Sequence, residues 1–436
     1  MKTVSVGLIG WGTVGSGVAA VWKRKAALFE DRNGVRLVLK RVCDLDIVSA
    51  RDGGLDPACL TTRAEDITAA ADIDIVVELI GGIHPAKEII LDAIRHGKQV
   101  VTANKALLAE EGQEIFSAAR AHGVDVYFEA SVGGGIPIIK ALREGFAANR
   151  IERVYGIING TANYILSAMA AQGCDFAAAL RQAQERGFAE RDPALDINGS
   201  DAAHKICILG RLCFGQHIAC SQIYTEGIQG IEHQDIQYAA EFGYCVKLLA
   251  IAKRAPQGID IRVHPTLLPQ DHLLAHVQGV YNAVFVDTDL AGETLFYGQG
   301  AGKYPTASAV LSDIIAAAER IASGRTGMAG VNTLESSSLP VCSMEELHTR
   351  CYIRFSAVDE PGVLAEIARI LGSHTISIHS VMQKGRADHE HAVPIVMMTH
   401  TAREHDLRLA LNEMDRLPFI KARPVVIREE RDGGLS

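Results

Sequence analysis

The chain has 436 residues, 48% hydrophobic and 22% charged, with a formal net charge of −9 at pH 7. Such a length predicts about two to four folded domains with real cores, and an acidic balance without a Lys/Arg cluster excludes a nucleic-acid groove and leaves small molecules as the expected partners. The nine cysteines, with no C-x-x-C pair, read as reduced thiols. The opening M-K-T-V-S-V-G-L-I-G runs straight into a strand without a cleavage region, and no apolar run reaches membrane-spanning length, so a cytoplasmic protein with no membrane partner is expected.

Val4, Val6, Leu8 and Ile9 form a short apolar run ending at Gly10, Gly12 and Gly15, after which Val14, Val18 and Val21 recur at helical spacing. The pattern Gly10-x-Gly12-x-x-Gly15 between strand and helix suits a dinucleotide pyrophosphate, because backbone N–H groups and the helix N-terminus can approach it unobstructed. A second strand, Arg36 to Cys43, carries Lys40 and Arg41, which could take a 2′-phosphate, and leads to Asp44, which could take a ribose hydroxyl; the spacing leaves both open, and solvated strand-end residues fit equally. Strands over Ile73 to Ile80, Gln99 to Thr102 and Val124 to Phe128, alternating with helical stretches, predict a doubly wound parallel sheet. T-A-N-K, Thr102 to Lys105, closes one of these strands at the edge where such sheets bind ligands, with Asn104 placed to orient Lys105. After Glu129 and the run S-V-G-G-G-I-P, the first domain is expected to end near Arg150.

A strand over Arg153 to Asn159 precedes N-G-T-A-N-Y and helices over Ala162 to Gly173 and Phe176 to Arg186. The block Gly187 to Lys205, G-F-A-E-R-D-P-A-L-D-I-N-G-S-D-A-A-H-K, gathers Glu190, Asp192, Asp196, Asp201 and Lys205 around a helix start that Asp196 or Asn198 can cap. Asp201 and Lys205, four apart, share a helix face; alone they could be an exposed ion pair worth a few tenths of a kcal/mol, ~0.3. β-rich stretches at Ile259 to His264 and Val277 to Val286 complete an α+β second domain, and the glycine-rich loop Gly298 to Val310 feeds a helix expected to start at Thr306. Ser336, Ser337, Ser338 and Pro340 read as a linker. Beyond it, strand Tyr352–Ala357, helix Val363–Leu371, strands Ile376–Met382 and Val393–Met398, helix Leu407–Met414 and strand Ile420–Ile427 spell βαββαβ, a ferredoxin-like sandwich. His389 and His391 flank Glu390, a solvated turn in preference to a metal site.

For hydride transfer to a carbonyl, an acid must protonate the developing alkoxide. A lysine held by carboxylates can do this, which singles out Lys205 beside Asp201 and Glu190. The same acids could bind a substrate ammonium group, so an amino-acid substrate is expected. No cysteine lies beside a base, which excludes a thiol-dependent semialdehyde dehydrogenase.

Six motifs together resemble the bacterial homoserine dehydrogenases over essentially the full length: G-x-G-x-x-G with Val14, T-A-N-K, E-A-S-V-G-G-G-I-P, N-G-T-A-N-Y, G-F-A-E-R-D-P-A-L-D-I-N-G-S-D-A-A-H-K and G-A-G-K-Y-P-T-A-S-A-V. The resemblance implies reversible reduction of L-aspartate 4-semialdehyde to L-homoserine with NADP or NAD, on the route to threonine, methionine and isoleucine. It makes Lys205 the proton donor and Lys105 the second essential lysine, Glu190 and Asp201 the substrate ligands with Asp196 in support. Gly10, Trp11, Gly12, Thr13, Val14, Gly15, Lys105, Gly187 and Gly302 become the cofactor contacts. It also implies a structural sodium ion at Glu129, Val132, Gly134 and Ile136, where the sequence alone favours a glycine hinge. Phe188 departs from the family's usual Tyr, and Trp11 is a bulky residue in the dinucleotide turn, either packing on the cofactor or facing solvent. The C-terminal unit resembles an ACT domain, with Asp359, Pro361 and Gly362 at the effector loop, threonine the expected effector, and a homodimer or homotetramer the expected assembly.

The expected architecture is therefore a Rossmann-type α/β domain over 1–150, completed by a helix near 306–323, an α+β catalytic and dimerisation domain over 151–305, a linker over 331–350 and an ACT domain over 351–436. An amino-acid dehydrogenase acting at an amine-bearing carbon and a non-catalytic nucleotide and amino-acid sensor are the rival readings; the intact set Lys105, Glu190, Asp201 and Lys205 argues against the second.

Overall fold

In the computed structural model of the chain, residues 2–327, 339–383 and 392–431 are described. They fall into two compact units, the first built from Met1–Ile158, Asp201–Ile223 and Tyr281–Leu339, the second from Asn159–Ser200, Tyr224–Val280 and Pro340–Ser436. The helix that bears Asp201 and Lys205 thus belongs with the N-terminal segment, not with the chain that leads into it.

The first unit holds a parallel sheet of β1 (Lys2–Ile9), β2 (Val35–Cys43), β3 (Leu60–Thr61), β4 (Ile75–Glu78), β5 (Gln99–Thr102) and β6 (Val126–Tyr127), in the order β3-β2-β1-β4-β5-β6. Strands covered on both faces favour apolar residues at successive positions, as Ile75, Val76 and Val77 of β4 show, and the strand is buried through its last residue, Glu78. Strand order reverses between β1 and β4, the switch point where open α/β sheets take ligands.

One face packs Leu8, Val18 and Trp22 against Val310, Leu311 and Ile314 of the helix Lys303–Ser323. The other packs Ile90 and Ile94 of the helix Ala86–Arg95 and Leu107 and Ile115 of the helix Lys105–His122 against Ile9, Val76 and Val100. The Lys303–Ser323 helix begins three residues before the expected Thr306, because Gly302, at φ +117°, turns the chain and Thr306 N already bonds Gly302 O at 3.1 Å. Pro305 sits comfortably in that first turn, which needs no N–H from it. The same unit contains an antiparallel set of β7 (Ile151–Ile157), β11 (Tyr281–Thr288) and β12 (Gly292–Gln299), and the helix Ser200–Phe214.

In the second unit, β9 (Tyr244–Ala255) and β10 (Gly258–Pro269) form an antiparallel hairpin, with β8 (Tyr224–Thr225) parallel to β10. The βαββαβ unit is present as β14 (Cys351–Val358), β15 (Ile378–Gln383), β16 (Ala392–Thr399) and β18 (Ile420–Glu429), in the order β18-β14-β16-β15, with the helices Val363–Ser373 and Glu404–Met414. Its core is Ile353, Phe355, Ile367, Ile370, Leu407 and Met414. β18 also pairs in parallel with β10 at Thr266 and Leu267, and β13 (His348–Thr349) with β17 (Ala402–Arg403) makes a short antiparallel ribbon. The Ser336–Ser338 linker and the His389-Glu390-His391 turn lie outside the described residues. Among the described residues no helix is long and apolar enough to cross a membrane, no cluster of three or more His, Cys, Asp or Glu side chains could hold a metal ion, and none of the nine cysteines is in a disulfide.

Candidate active site

The dinucleotide turn connects β1 to the helix Thr13–Asn33. Gly10 takes φ +105°, and a Cβ there would lie 2.7 Å from Leu79 C; one on Gly15 would lie 2.0 Å from Gly10 O. A Cβ on Gly12 would meet nothing within 4 Å, so this position opens onto free space. The helix start lacks a side-chain cap, leaving its first N–H groups available to an anion. Gly10 and Gly12 line a cavity of about 850 Å³ together with Asp44, Arg63, Leu79, Ile80 and Gly81. The volume and the uncapped helix fit a dinucleotide.

The half-buried Trp11 ring lies against the Gly53 turn, where a Cβ would be 2.8 Å away, and the Trp11 backbone N–H donates to Asp44 Oδ2 at 2.5 Å. Asp44 Oδ1 accepts from Asp46 N at 2.8 Å, so this carboxylate shapes the turn. Lys40 Nζ pairs with Asp72 at 2.8 Å, and Arg41 Nη1 donates to Asp66 O at 2.6 Å.

At the end of β5, Asn104 Oδ1 accepts from Leu107 N at 3.1 Å and caps the helix that starts at Lys105. That helix and the helix Ser200–Phe214 are fastened by the buried Arg211, which donates to Leu108 O at 2.8 Å and Ala109 O at 2.6 Å. The fastening brings two distant motifs together. Lys105 Nζ lies 2.8 Å from Asp201 Oδ1, and Lys205 Nζ lies 2.6 Å from Asp201 Oδ2 and 2.7 Å from Ile158 O. Burial alone would raise the Asp201 carboxyl, but the ammonium groups of Lys205 and Lys105 hold it well below the usual carboxylate range. The two lysines differ in access: the Lys105 side chain is 42% exposed, the Lys205 side chain 11%. The Lys105 ammonium is thus open to solvent on the side away from Asp201, while the Lys205 ammonium is held between Asp201 and the Ile158 carbonyl.

The remaining expected site residues are spread over both units. Glu190 and Gly187 belong to the second unit and are exposed. Asp196 does not cap the helix that bears Asp201 and Lys205; it lies within a separate short helix, Ala194–Ile197, and accepts from Asn159 Nδ2 at 2.7 Å. Asn198 sits next to the helix start, its Oδ1 accepting from Ser200 N at 2.9 Å. Phe188 packs on Tyr164, ring centroids 5.1 Å apart, while its carbonyl accepts from Thr161 Oγ1 at 2.7 Å, so the backbone there is held without a Tyr hydroxyl.

In the first unit, Glu129 accepts from Ile139 N at 2.8 Å and Lys140 N at 2.9 Å, and its own N–H donates to Asp313 at 2.7 Å. Burial pushes the Glu129 carboxyl up to about 7 and that of Asp313 up to about 6. Val132 and Ile136 are buried beside it, and Gly134 seats against Gly300, where a Cβ would be 2.5 Å from the backbone. In the ferredoxin-like unit, Asp359 Oδ1 accepts from Gln383 Nε2 at 3.2 Å, and Gly362, at φ +95°, precedes an uncapped helix just after Pro361.

Motif reading misses Arg211 and the Ile158 carbonyl. The signal for Arg211 was available as a charged residue on the apolar face of a helix; a backbone acceptor leaves no signal in side-chain identities.

A glycine turn at the switch point of a parallel sheet and a lysine–aspartate–lysine cluster near its carboxyl edge define an NAD(P)-dependent oxidoreductase acting on a CH–OH group. The family models described as homoserine dehydrogenase, NAD binding domain, homoserine dehydrogenase, and ACT domain match residues 10–129, 137–315 and 352–419 respectively. The chain is 45% identical over 434 residues to the homoserine dehydrogenase of Neisseria gonorrhoeae, covering 99% of each, and 44% identical to that of Synechocystis, covering 98% and 99%. A homoserine dehydrogenase structure from Thiobacillus denitrificans superposes with a TM-score of 0.92 at 45% identity over 99% of each chain. A hyperthermophilic archaeal homoserine dehydrogenase mutant in complex with NADPH matches 73% of this chain and 98% of its own, with a TM-score of 0.63 at 28% identity. The chain belongs to the homoserine dehydrogenase family.

Proposed function

We propose that Lys205, Asp201 and Lys105 form the reaction centre for the interconversion of L-aspartate 4-semialdehyde and L-homoserine, with Glu190 as a further substrate ligand. The observation that carries this reading is the single Asp201 carboxylate shared by two lysines of unequal exposure. Bound NAD(P)H supplies the hydride that C4 of the aldehyde receives. Lys205 Nζ gives its proton to the carbonyl oxygen as the C=O bond becomes C–OH, and takes it back in the reverse direction. Asp201 and the Ile158 carbonyl fix the direction of the Lys205 N–H bonds. Lys105 is the accessible cation for substrate near the nicotinamide, Glu190 and Asp201 take the α-ammonium group, and Asp196 supports them through Asn159. Gly10 to Gly15, with Trp11, Thr13 and Val14 contributing backbone, hold the pyrophosphate, and Gly187 and Gly302 make further cofactor contacts.

Initial rates of homoserine oxidation with NAD⁺ and with NADP⁺, on the unmodified protein and on Lys205→Ala, test the reading. Turnover that collapses in the variant supports it; equal rates would sink the assignment of Lys205. Ammonia release would favour the amine-dehydrogenase reading instead.

The functional division that accompanies this reading is a cofactor domain over 1–150 with the helix near 306–323, a catalytic and dimerisation domain over 151–305, a linker over 331–350 and a regulatory domain over 351–436; the family-model boundaries support it. Threonine is the proposed effector, at Asp359, Pro361 and Gly362, and a homodimer or homotetramer the proposed assembly. A cytoplasmic setting suits nine cysteines outside any disulfide. A structural sodium ion suits Glu129 with the carbonyls of Val132, Gly134 and Ile136: each carboxylate oxygen accepts one N–H and keeps a lone pair for a hard cation, which would offset the charge that burial disfavours.

A further inference from the structure

Glu78 is the last residue of β4 and is fully buried. It stands in register with Ile9 of β1 on one side and Thr102 of β5 on the other, at the reversal of strand order between the dinucleotide turn and the T-A-N-K loop. Its hydrogen-bond donors are neutral. Oε1 accepts from Ile80 N at 2.8 Å and Gly81 N at 3.2 Å, and Oε2 accepts from Thr102 Oγ1 at 2.7 Å. The chain of contacts continues: Thr102 Oγ1 accepts from Asn104 N at 3.0 Å, Asn104 Nδ2 donates to Gly82 O at 2.6 Å, and Asn104 Oδ1 caps the helix whose first residue is Lys105.

A buried carboxylate without a facing cation is costly, and desolvation pushes this one up even against its hydrogen bonds. An apolar residue would fill β4 at lower cost, as Ile75, Val76 and Val77 do. What the carboxylate offers is acceptance at both oxygens at once, so that donors from two loops on the ligand-binding edge converge on one side chain. Glutamine keeps one acceptor and puts an amide donor at the other position, so the Thr102 hydroxyl loses the acceptor for its proton and must turn.

We infer that Glu78 is a positioning residue for the dehydrogenase reaction: through Thr102 and Asn104 it sets where Lys105 begins its helix and hence where its ammonium meets Asp201 and the substrate. This rests on the role proposed for Lys105. Small displacements of such a group cost about 100-fold in rate.

The test is a double-mutant cycle on the full chain with Glu78→Gln and Lys105→Ala, read as kcat/KM for homoserine at high enzyme concentration, with NADH binding followed by fluorescence. Glu78→Gln is expected to lower kcat/KM by about 10- to 100-fold in the presence of Lys105 and by less than about 3-fold in the Lys105→Ala background, since residues that act as a unit are not additive. NADH affinity is expected to stay within about 3-fold, as for a group acting on the reaction and not on cofactor binding. Equal losses in both backgrounds, or no loss in either, would overturn the inference while leaving the role of Lys105 intact; a Lys105→Ala protein of undiminished activity would remove that role and this one together. If Glu78→Gln fails to fold, Thr102→Val replaces it in the cycle, and Thr102→Ser, which keeps the hydroxyl, is expected to restore the rate.

Discussion

Lys105 meets Asp201 at 2.8 Å although one starts a helix that follows a strand of the parallel sheet and the other sits in the first turn of a helix remote in sequence. The buried guanidinium of Arg211 makes that meeting reproducible by tying the second helix to two carbonyls of the first. Arg211→Leu should therefore separate the helix Lys105–His122 from the helix Ser200–Phe214. A buried arginine removed from several carbonyl acceptors leaves those acceptors unsatisfied, and a loss of about 3 kcal/mol in stability is expected, read as a shift of the urea midpoint. Activity per folded molecule should fall as well, and an unchanged kcat in the folded fraction would count against the fastening role.

Lys205→Ala removes the proposed proton donor while Asp201 retains Lys105. The expected loss in kcat is about 100- to 10,000-fold, the usual worth of a positioned general acid. Cofactor affinity, measured by fluorescence titration, should remain close to that of the unmodified protein.

Glu190 differs from Asp201 in being exposed, so its replacement separates binding from folding. Glu190→Gln should raise KM for homoserine by about 10- to 100-fold, as expected for the loss of a hydrogen bond to a charged group. The melting temperature should not move, and a variant with unchanged KM would remove Glu190 from the substrate ligands.

Glu129 gives the protein a pH dependence of opposite sign to that of a salt-bridged carboxylate. Burial, joined by the Asp313 charge, pushes its carboxyl up to about 7, whereas in the unfolded chain it titrates near the ordinary glutamate value of about 4.3. The unfolded state therefore releases this proton first, and stability should be highest below that ordinary value and fall as pH rises towards about 7. Glu129→Gln should flatten the slope of the urea midpoint between acidic and mildly alkaline buffers. Sodium in place of choline at alkaline pH should restore part of the midpoint in the unmodified protein alone; identical midpoints in the two salts would dispose of the ion site.

Threonine should give a saturable heat in isothermal titration at millimolar ligand, and Asp359→Ala should abolish it. Absence of heat with the unmodified protein would leave the ACT domain a purely structural role.

The parallel sheet was legible because its strands are short, apolar on both faces and punctuated by glycine, and the βαββαβ unit because its periods switch cleanly between strand and helix. β9 escaped notice: C-V-K-L-L-A-I-A, apolar but for Lys247, fits a buried helix as well as a strand. Asp196 and Thr306 misled for a related reason, since both have the chemistry of helix starts but sit inside helices begun by the chain just before them. At the site, Lys105, Asp201 and Lys205 were each recognisable from their motifs. That one carboxylate serves both lysines was not, because it depends on the Arg211 fastening and on a backbone carbonyl at Ile158.

The helix Lys303–Ser323 also has a bearing on how the protein comes into being. Val310, Leu311 and Ile314 cover Leu8 and Val18, so a nascent chain emerging from the ribosome cannot finish its cofactor-binding half until the catalytic segments have also been synthesised. Until then a strip of apolar sheet and helix stands uncovered, a surface that invites chaperones or aggregation. Chains truncated near residue 150 should be insoluble for that reason, and co-expression of the missing helix as a separate peptide is the direct way to rescue them.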